Sequence, residues 1–183
     1  GKRYRGCLKH VERHTVLDPE ESNHPDIVAS AQEIPLDAAS VDSMLCIEVL
    51  MYVTDIPKAI QEMARVLRPG GTLLLTAALM GPKTSGTNDQ WRFTNEGLRR
   101  LLEPYFDIER TEQRGGYHTE RAQQWIRHAI WKHNLYNRPL PGRLYCLLSM
   151  IRSRYAVARD ARAKPSHRGE FVLGYNIIAK KRS

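Results

Sequence analysis

Cysteine and long apolar runs are scarce in this chain of 183 residues. Cys7, Cys46 and Cys146 are isolated and odd in number, so they show neither a metal-binding spacing nor a set of disulfide pairs. We therefore expect reduced thiols and a cytoplasmic location. The apolar run from Leu144 to Ile151 is far shorter than the roughly 20 residues of a transmembrane helix, which excludes it as a span.

Acidic residues are scarce in the last third of the chain. Of the 28 basic and 20 acidic residues, 14 basic but only 2 acidic residues lie in residues 121–183. This imbalance favours contact of residues 121–168 with something anionic, such as a membrane surface or a phosphorylated carrier, and an ordinary solvated basic face is the alternative. Neither a zinc-finger spacing nor an aromatic ribonucleoprotein motif accompanies the charge, so nucleic acid is the least favoured partner.

One unit of an α/β fold can be read in residues 56–78. Apolar residues recur there at the spacing of one helix face, which comprises Ile56, Ala59, Ile60, Met63, Ala64 and Leu67. Asp55 is placed to cap the first turn, and Pro69 with Gly70–Gly71 predicts a tight turn after the helix. The almost continuously apolar strand at 72–78 is typical of a buried strand in a parallel sheet that helices cover.

Three shorter strands are predicted before this unit, at residues 14–17, 27–30 and 43–46. In open α/β sheets, ligands bind at the carboxyl ends of the strands, so we expect these three ends to face one crevice. Asp18 ends the first strand, where a carboxylate is well placed to bind both hydroxyls of a ribose. A turn or helix-capping role is the alternative for Asp18.

Four segments, in order, resemble the motifs of the class I methyltransferases that use S-adenosylmethionine. They are Asp18, residues 30–36, residues 48–53, and residues 65–71 with the sequence Arg-Val-Leu-Arg-Pro-Gly-Gly. The resemblance implies a single, partial Rossmann-like α/β domain over residues 1–183, with a mostly parallel sheet, helices on both faces and an antiparallel last strand. Before that strand, residues 116–170 are expected to form a helical, basic insertion.

The glycine motif and the first strand of the family are missing, so we expect a fragment or a shortened gene product. Gly1 resembles the last glycine of the Gly-x-Gly-x-Gly motif. Loss of a central strand predicts a gap between the strands that flank it, or their direct pairing. Ser30 stands where the family usually has an aspartate for the adenine amino group, and Tyr52 stands where histidine is common.

The resemblance implies S-adenosylmethionine as the cofactor. We expect cofactor contacts from Gly1, Asp18, Ser30, Ala31, Gln32, Ile47 and Glu48. Ala31 can donate its backbone N–H whatever its side chain, whereas Ser30 should accept the adenine hydrogen bond more weakly than a carboxylate would. A metal site is not predicted, because His10 and His14 lack a third ligand at a matching spacing.

Residues 88–98 are similar to a segment of small bacterial methyltransferases that accompany glycan biosynthesis. They predict a small-molecule or glycan acceptor, with Trp91 and Arg92 as candidate acceptor-binding residues. The alternatives are a hydrophobic plug for Trp91 and an ion pair with Asp89 for Arg92.

Removal of a proton from an acceptor hydroxyl calls for a positioned base. Asp89, His118 and Glu48 are the candidates, with Tyr52 as an orienting donor. His118 follows Gly115–Gly116 on a predicted flexible turn, where a solvated histidine is the alternative.

The second helix of the basic segment has an apolar face bordered by arginines. The face comprises Leu144, Leu147, Leu148, Ile151 and Tyr155. Packing on the sheet and contact with an anionic membrane are the two explanations.

Three hypotheses about function follow from these patterns. The first is methyl transfer to a hydroxyl or amine of a small molecule or glycan. The second is a non-catalytic remnant of the same fold that acts as a binding module. The third is a basic protein that associates with a membrane surface.

Overall fold

The computed structural model describes residues 6, 10–81, 83, 88–137, 139–162 and 171–183. Gly1 and Cys7 lie outside these residues. The strands are β1 (Leu17–Asp18), β2 (Ile27–Val28), β3 (Val41–Ile47), β4 (Leu67–Ala78), β5 (Phe106–Arg114) and β6 (Gly174–Lys181). The helices are α1 (Ile56–Val66), α2 (Asn95–Leu102), α3 (Tyr117–Lys132) and α4 (Pro139–Ala161), and short 3₁₀ turns occur at Glu21–Asn23, Leu50–Tyr52 and Leu135–Asn137.

The strands form two sheets, and the larger one has the order β3-β4-β6-β5. β3 runs parallel to β4, whereas β6 runs antiparallel to both β4 and β5. The prediction of a mostly parallel sheet with an antiparallel last strand is therefore confirmed. β1 and β2 form a separate parallel pair. This separation agrees with the predicted gap next to the second strand of the family.

Predicted boundaries were wrong at the first two strands and at the turn after α1. β1 and β2 have only two residues each, shorter than the predicted strands at 14–17 and 27–30. The predicted turn at Pro69 to Gly71 lies instead within β4, which pairs with β3 from Leu67 onward. The register shifts there, between Val41 and Ser43, so the extra residues form a bulge in which Gly70 has a φ of 74°. Only glycine adopts that φ at little cost.

The core lies between α1, α2 and the larger sheet. α1 buries the predicted apolar face, and the Asp55 side chain accepts a hydrogen bond from the Lys58 N–H at 3.0 Å. α2 is capped in the same way by Thr94, which accepts from the Gly97 N–H at 3.1 Å. The central strands β4 and β6 are apolar and fully buried at positions such as Leu75. These elements therefore form for the local reasons that the sequence shows.

α3 and α4 pack against each other as a hairpin within the predicted insertion of residues 116–170. Tyr145 donates to the Ile126 carbonyl at 3.2 Å, and its ring lies 5.8 Å from that of Trp125. The predicted apolar face of α4 does not pack on the sheet, since its members are all more than half exposed.

Within the described part of the chain, no helix has both the length and the apolar content that crossing a bilayer requires.

Candidate functional site

A cavity of about 1050 Å³ lies at the carboxyl ends of the parallel strands. Glu48 follows β3, Ala78 ends β4 and Arg114 ends β5, so three strand ends contribute to its floor. α3 and α4 cover it with His118 and Asp160 among others. This volume is at the upper end of the range for small-molecule sites. The position is the one at which open α/β sheets bind ligands.

Glu48 is a closely constrained side chain in this cavity. Its backbone has a φ of 55°, and its N–H donates to both the carbonyl and the hydroxyl oxygen of Thr76, each at 3.1 Å. The Thr76 hydroxyl donates in turn to Glu48 Oε1 at 3.1 Å, and Arg114 Nη2 donates to the same oxygen at 2.5 Å. A left-handed conformation at a residue other than glycine costs about 1–3 kcal/mol and is frequent at functional sites. The carboxylate is thus fixed through one oxygen.

Arg114 was not among the candidates from the sequence. It ends β5 without a recognisable motif, and the only signal was a charged residue at the carboxyl end of a strand. Gly174 on the neighbouring β6 leaves room for it, because a Cβ there would lie 2.8 Å from Arg114 Nη2 and 2.2 Å from the Ala77 carbonyl oxygen. Arg114 and Glu48 form an ion pair, so the site presents a positioned carboxylate with part of its charge compensated.

The loop after β4 places Arg92 at the cavity but Trp91 outside its lining. Arg92 lines the cavity and binds Asp89 through two hydrogen bonds of 2.5 and 3.0 Å, and the Asp89 side chain is fully buried. The hydrogen bond to Asp89 raises the pKa of Arg92. Trp91 does not line the cavity, since its indole N–H donates to the Val53 carbonyl at 2.9 Å. The geometry favours the structural alternatives for Asp89 and Trp91, and their catalytic and acceptor-binding roles stay predictions.

His118 and Tyr52 both line the cavity. The predicted flexible turn at His118 was wrong, because this residue lies in the first turn of α3. Asp160 of α4 accepts hydrogen bonds from the backbone N–H groups of His118 and Thr119 at 2.9 and 2.8 Å and from the Thr119 hydroxyl at 2.5 Å. Burial raises the pKa of the Asp160 carboxyl, but these hydrogen bonds outweigh it and hold the pKa below its usual range. A carboxylate from another helix therefore caps α3.

The predicted adenosine contacts lie outside the cavity lining. Asp18 Oδ1 accepts from the Glu20 N–H at 2.9 Å and from Asn23 Nδ2 at 3.1 Å, which is the turn role foreseen as the alternative. Ser30 Oγ accepts from the Gln32 N–H at 3.1 Å. Gln32 Oε1 accepts from the Asp55 N–H at 2.7 Å, so the segment after β2 is joined to the loop before α1.

The structure thus divides the candidate residues into two groups. Glu48, Tyr52, Arg92 and His118 line one cavity. The expected single crevice for all three early strand ends is not observed there, because the lining includes the residue after β3 but none of β1 or β2. The second group comprises Asp18, Ser30, Ala31, Gln32 and Ile47. Asp18 and Ser30 lie at the same end of the parallel pair β1–β2.

The residues of the second group fit an adenosine in part. Among the described residues, Asp18 Oδ2 and the Ala31 N–H have no hydrogen-bond partner, so an acceptor and a donor are available to a ribose hydroxyl and an adenine nitrogen. The Ser30 hydroxyl oxygen already accepts one hydrogen bond, which leaves one acceptor position for an adenine amino group.

Comparison with known proteins relates part of this chain to methyltransferases. Residues 7–75 match the family described as methyltransferase domain. An uncharacterized methyltransferase of Mycobacterium tuberculosis and its counterpart in Mycobacterium bovis are 51% identical over 61 residues, which is 32% of this chain and 25% of each relative. The chain therefore spans about a quarter of the length of the curated relatives that it matches.

Two solved structures share the fold. A putative sarcosine dimethylglycine methyltransferase from Galdieria sulphuraria has a TM-score of 0.51 and 19% identity, covering 84% of this chain and 58% of that one. A possible histamine N-methyltransferase from Thermotoga maritima has a TM-score of 0.52 and 13% identity, covering 91% and 72%. The chain thus shares its fold with these two proteins. Within this fold, residues 7–75 are the part that matches the methyltransferase domain family.

Proposed function

We propose that this chain transfers a methyl group from S-adenosylmethionine to a hydroxyl or amine of an acceptor bound beside Glu48. One observation carries the proposal: a carboxylate fixed by Thr76 and Arg114 stands in a cavity at the carboxyl ends of β3, β4 and β5. The match to the methyltransferase domain family at 7–75 includes β3 and most of β4, two of the strands whose ends form this cavity.

The cofactor would be held by the second group of residues. Asp18 would accept from the ribose, and Ala31 would donate its backbone N–H to the adenine. Ser30, Gln32 and Ile47 complete the predicted contacts, and Gly1 lies outside the described residues. When bound, the cofactor supplies an electrophilic methyl carbon for an in-line displacement, so the protein has to provide alignment and exclusion of water.

The proton of the acceptor would pass to a side chain of the cavity. Glu48 is the best placed base, because Oε1 is held by Thr76 and Arg114 while Oε2 receives no hydrogen bond from the described residues. His118 is the second candidate on the opposite wall, and Tyr52 is placed to orient the acceptor. A positioned base of this kind contributes about a hundredfold or more to the rate.

The acceptor class and location are the finer parts of the proposal. Residues 88–98, which resemble a segment of glycan-associated methyltransferases, support a glycan or small-molecule acceptor. The buried thiol of Cys46 is unpaired, which suits the cytoplasm. Its pKa is raised to about 12, by burial first and by the charge of Glu48 second, so it is not a nucleophile.

Calorimetric titration with S-adenosylhomocysteine tests cofactor binding. We expect a micromolar Kd for the 183-residue chain and at least tenfold weaker binding for Asp18→Asn, because a hydrogen bond to a charged group contributes about 1.5–3 kcal/mol. Asp42→Asn is the matched control, since this carboxylate pairs with Arg68 at the surface, far along β3 from the carboxyl end. Absence of binding heat at millimolar ligand would instead support the non-catalytic binding module, which the isolated β1–β2 pair favours.

Methyl transfer itself is tested with labelled S-adenosylmethionine and a panel of alcohols, phenols, amines and glycans. We expect Glu48→Gln to lower turnover about a hundredfold while binding of S-adenosylhomocysteine changes little. Glu103→Gln, an exposed acid at the end of α2, should retain full turnover. Full turnover of Glu48→Gln would contradict the assignment of the base and direct attention to His118.

A further inference from the structure

The apolar stripe of α4 is the largest row of apolar side chains that the described structure leaves uncovered on one helix. Leu144, Leu147, Leu148, Ile151 and Tyr155 expose between 56% and 66% of their surface. Their spacing of three and four residues places them on one side of the helix. The opposite side carries Tyr145, which contacts α3, and Asp160, which caps it. These contacts between α3 and α4 therefore do not use the stripe.

Arginine borders the stripe on both sides. At 100° per residue, exposed Arg152 and Arg159 lie along one border and exposed Arg154 lies along the other. Arg152 also packs its guanidinium 4.3 Å from the centre of the Trp125 ring of α3. Between residues 121 and 162 the sequence has nine basic residues and one acid, Asp160. The carboxylate of Asp160 accepts hydrogen bonds at the start of α3. The charged side chains named at the borders of the stripe are thus all positive.

We infer that the stripe docks on the surface of an anionic lipid bilayer. An interfacial helix buries an apolar face at the boundary of headgroups and acyl chains, while arginines at its edges reach the anionic headgroups. α4 combines these two features, and it is too polar to cross the bilayer. A second copy fits less well, because it would bring two arginine borders of like charge together in a chain of net charge +8.

The docking helix also forms a wall of the cavity. Val157, Asp160 and Ala161 of α4 line it directly after the stripe ends at Tyr155. At 100° per residue these three positions lie on the side of α4 that faces away from the stripe, so a bilayer that holds the stripe leaves the cavity on the other side of the helix.

Co-sedimentation of the 183-residue chain with vesicles tests the inference. We expect binding to phosphatidylcholine mixed with phosphatidylglycerol in a three-to-one ratio, and little binding to phosphatidylcholine alone. Salt at about 1 M should weaken binding, because the Debye length falls from about 10 Å to 3 Å between 0.1 and 1 M.

Matched variants separate the contribution of the apolar stripe from that of the arginines at its borders. Ile151→Glu should weaken binding more than tenfold, whereas Val28→Glu, an equally exposed apolar position on β2, should bind as the parent chain does. Replacing Arg152 and Arg159 together by Gln should weaken binding about 25-fold, because each arginine contributes about a factor of five. The same replacement of Arg99 and Arg110, on α2 and β5, removes equal charge and should change binding little. Circular dichroism confirms that each variant is folded.

Three outcomes would overturn the inference. The first is undiminished binding of Ile151→Glu, and the second is equal binding to both kinds of vesicle. The third is a dimer in sedimentation velocity that Ile151→Glu converts to a monomer while vesicles bind neither protein, which would assign the stripe to a second copy. The assay contains no methyl donor, so failure of cofactor binding or methyl transfer leaves its result intact.

Discussion

Glu62 and Arg65 of α1 hold the segment that follows β2. Glu62 Oε2 accepts from the Ile34 N–H at 3.0 Å, and Arg65 donates to the carbonyl oxygens of Ile34 and Leu36 at 2.7 and 2.8 Å. The two side chains also form an ion pair at 2.7 Å. Because Ser30 and Ala31 precede this segment, the pair positions the predicted adenine contacts from a helix that contains none of them.

Glu62→Gln should destabilise the protein at neutral pH by about 1 kcal/mol, because solvent screens this partly exposed pair. The hydrogen bond from Arg65 lowers the pKa of Glu62 from 4.5 to about 2. A lowered folded-state pKa stabilises the protein above the unfolded value, and that stabilisation is lost as the pH falls from about 4.5 towards 2. Urea unfolding between pH 7 and 3 measures this. A difference between parent and variant that stays constant down to pH 3 would contradict the assignment.

At the scale of elements, α3 depends on α4 for its N-terminal cap. Gly116 precedes the helix and supplies no side chain that could cap it. The carboxylate of Asp160 takes that place, and a Cβ on Gly116 would lie 2.7 Å from its Cγ. Since α4 also lines the cavity, the cap joins the position of His118 to the packing of the hairpin.

Asp160→Ala should destabilise the chain by about 1 kcal/mol, the usual cost of losing a cap. Because the pKa of Asp160 is lowered, this contribution is present above its ordinary value near 3.8 and disappears as the pH falls below it. Thermal unfolding at pH 7 and pH 3 is the measurement, with exposed Asp37→Asn as the control. Equal melting temperatures of the Ala variant and the parent at pH 7 would argue against a capping role.

For the whole molecule, the main consequence of the topology is that the pair β1–β2 is held by fewer contacts than the larger sheet. The pair β1–β2 has two registered residue pairs, whereas β4 and β6 share seven. Residues such as Leu17 and Ala31 touch the core only from its edge. The proposed adenosine contacts therefore belong to the less stable part of the fold.

Hydrogen exchange should reveal this difference directly. We expect the amide of Ala29, which donates to the Asp18 carbonyl at 3.3 Å, to exchange at least a hundredfold faster than those of Leu75 and Ile177 in the larger sheet. S-adenosylhomocysteine should slow exchange at β1–β2, because a ligand that binds only the folded state opposes local opening. Mass spectrometry of the exchanged peptides reports both effects. Uniform protection across the two sheets would contradict the prediction.

Local patterns sufficed for much of this fold. The apolar face of α1, the cap at Asp55, the apolar strand β4 and the antiparallel β6 were all predicted, because each depends on neighbouring residues or on a recognised order of motifs. The motif at 48–53 also placed Glu48 and Tyr52, which both line the cavity. Failures occurred where pairing between distant residues competed with a local rule, as at Pro69 to Gly71: Leu67 and Thr72 both pair with β3, and the residues between them form a bulge.

By itself, the sequence determined the class of fold, its helices and the edge of the sheet at which ligands bind. Only the tertiary structure decided that Arg114 fixes Glu48 across 66 positions and that Asp160 caps α3 across 41 and 42 positions. It also decided that the apolar stripe of α4 stays exposed. The physical reason is range: a cap or an amphipathic face depends on residues within a few turns, whereas the partner of a charged side chain depends on how distant elements pack.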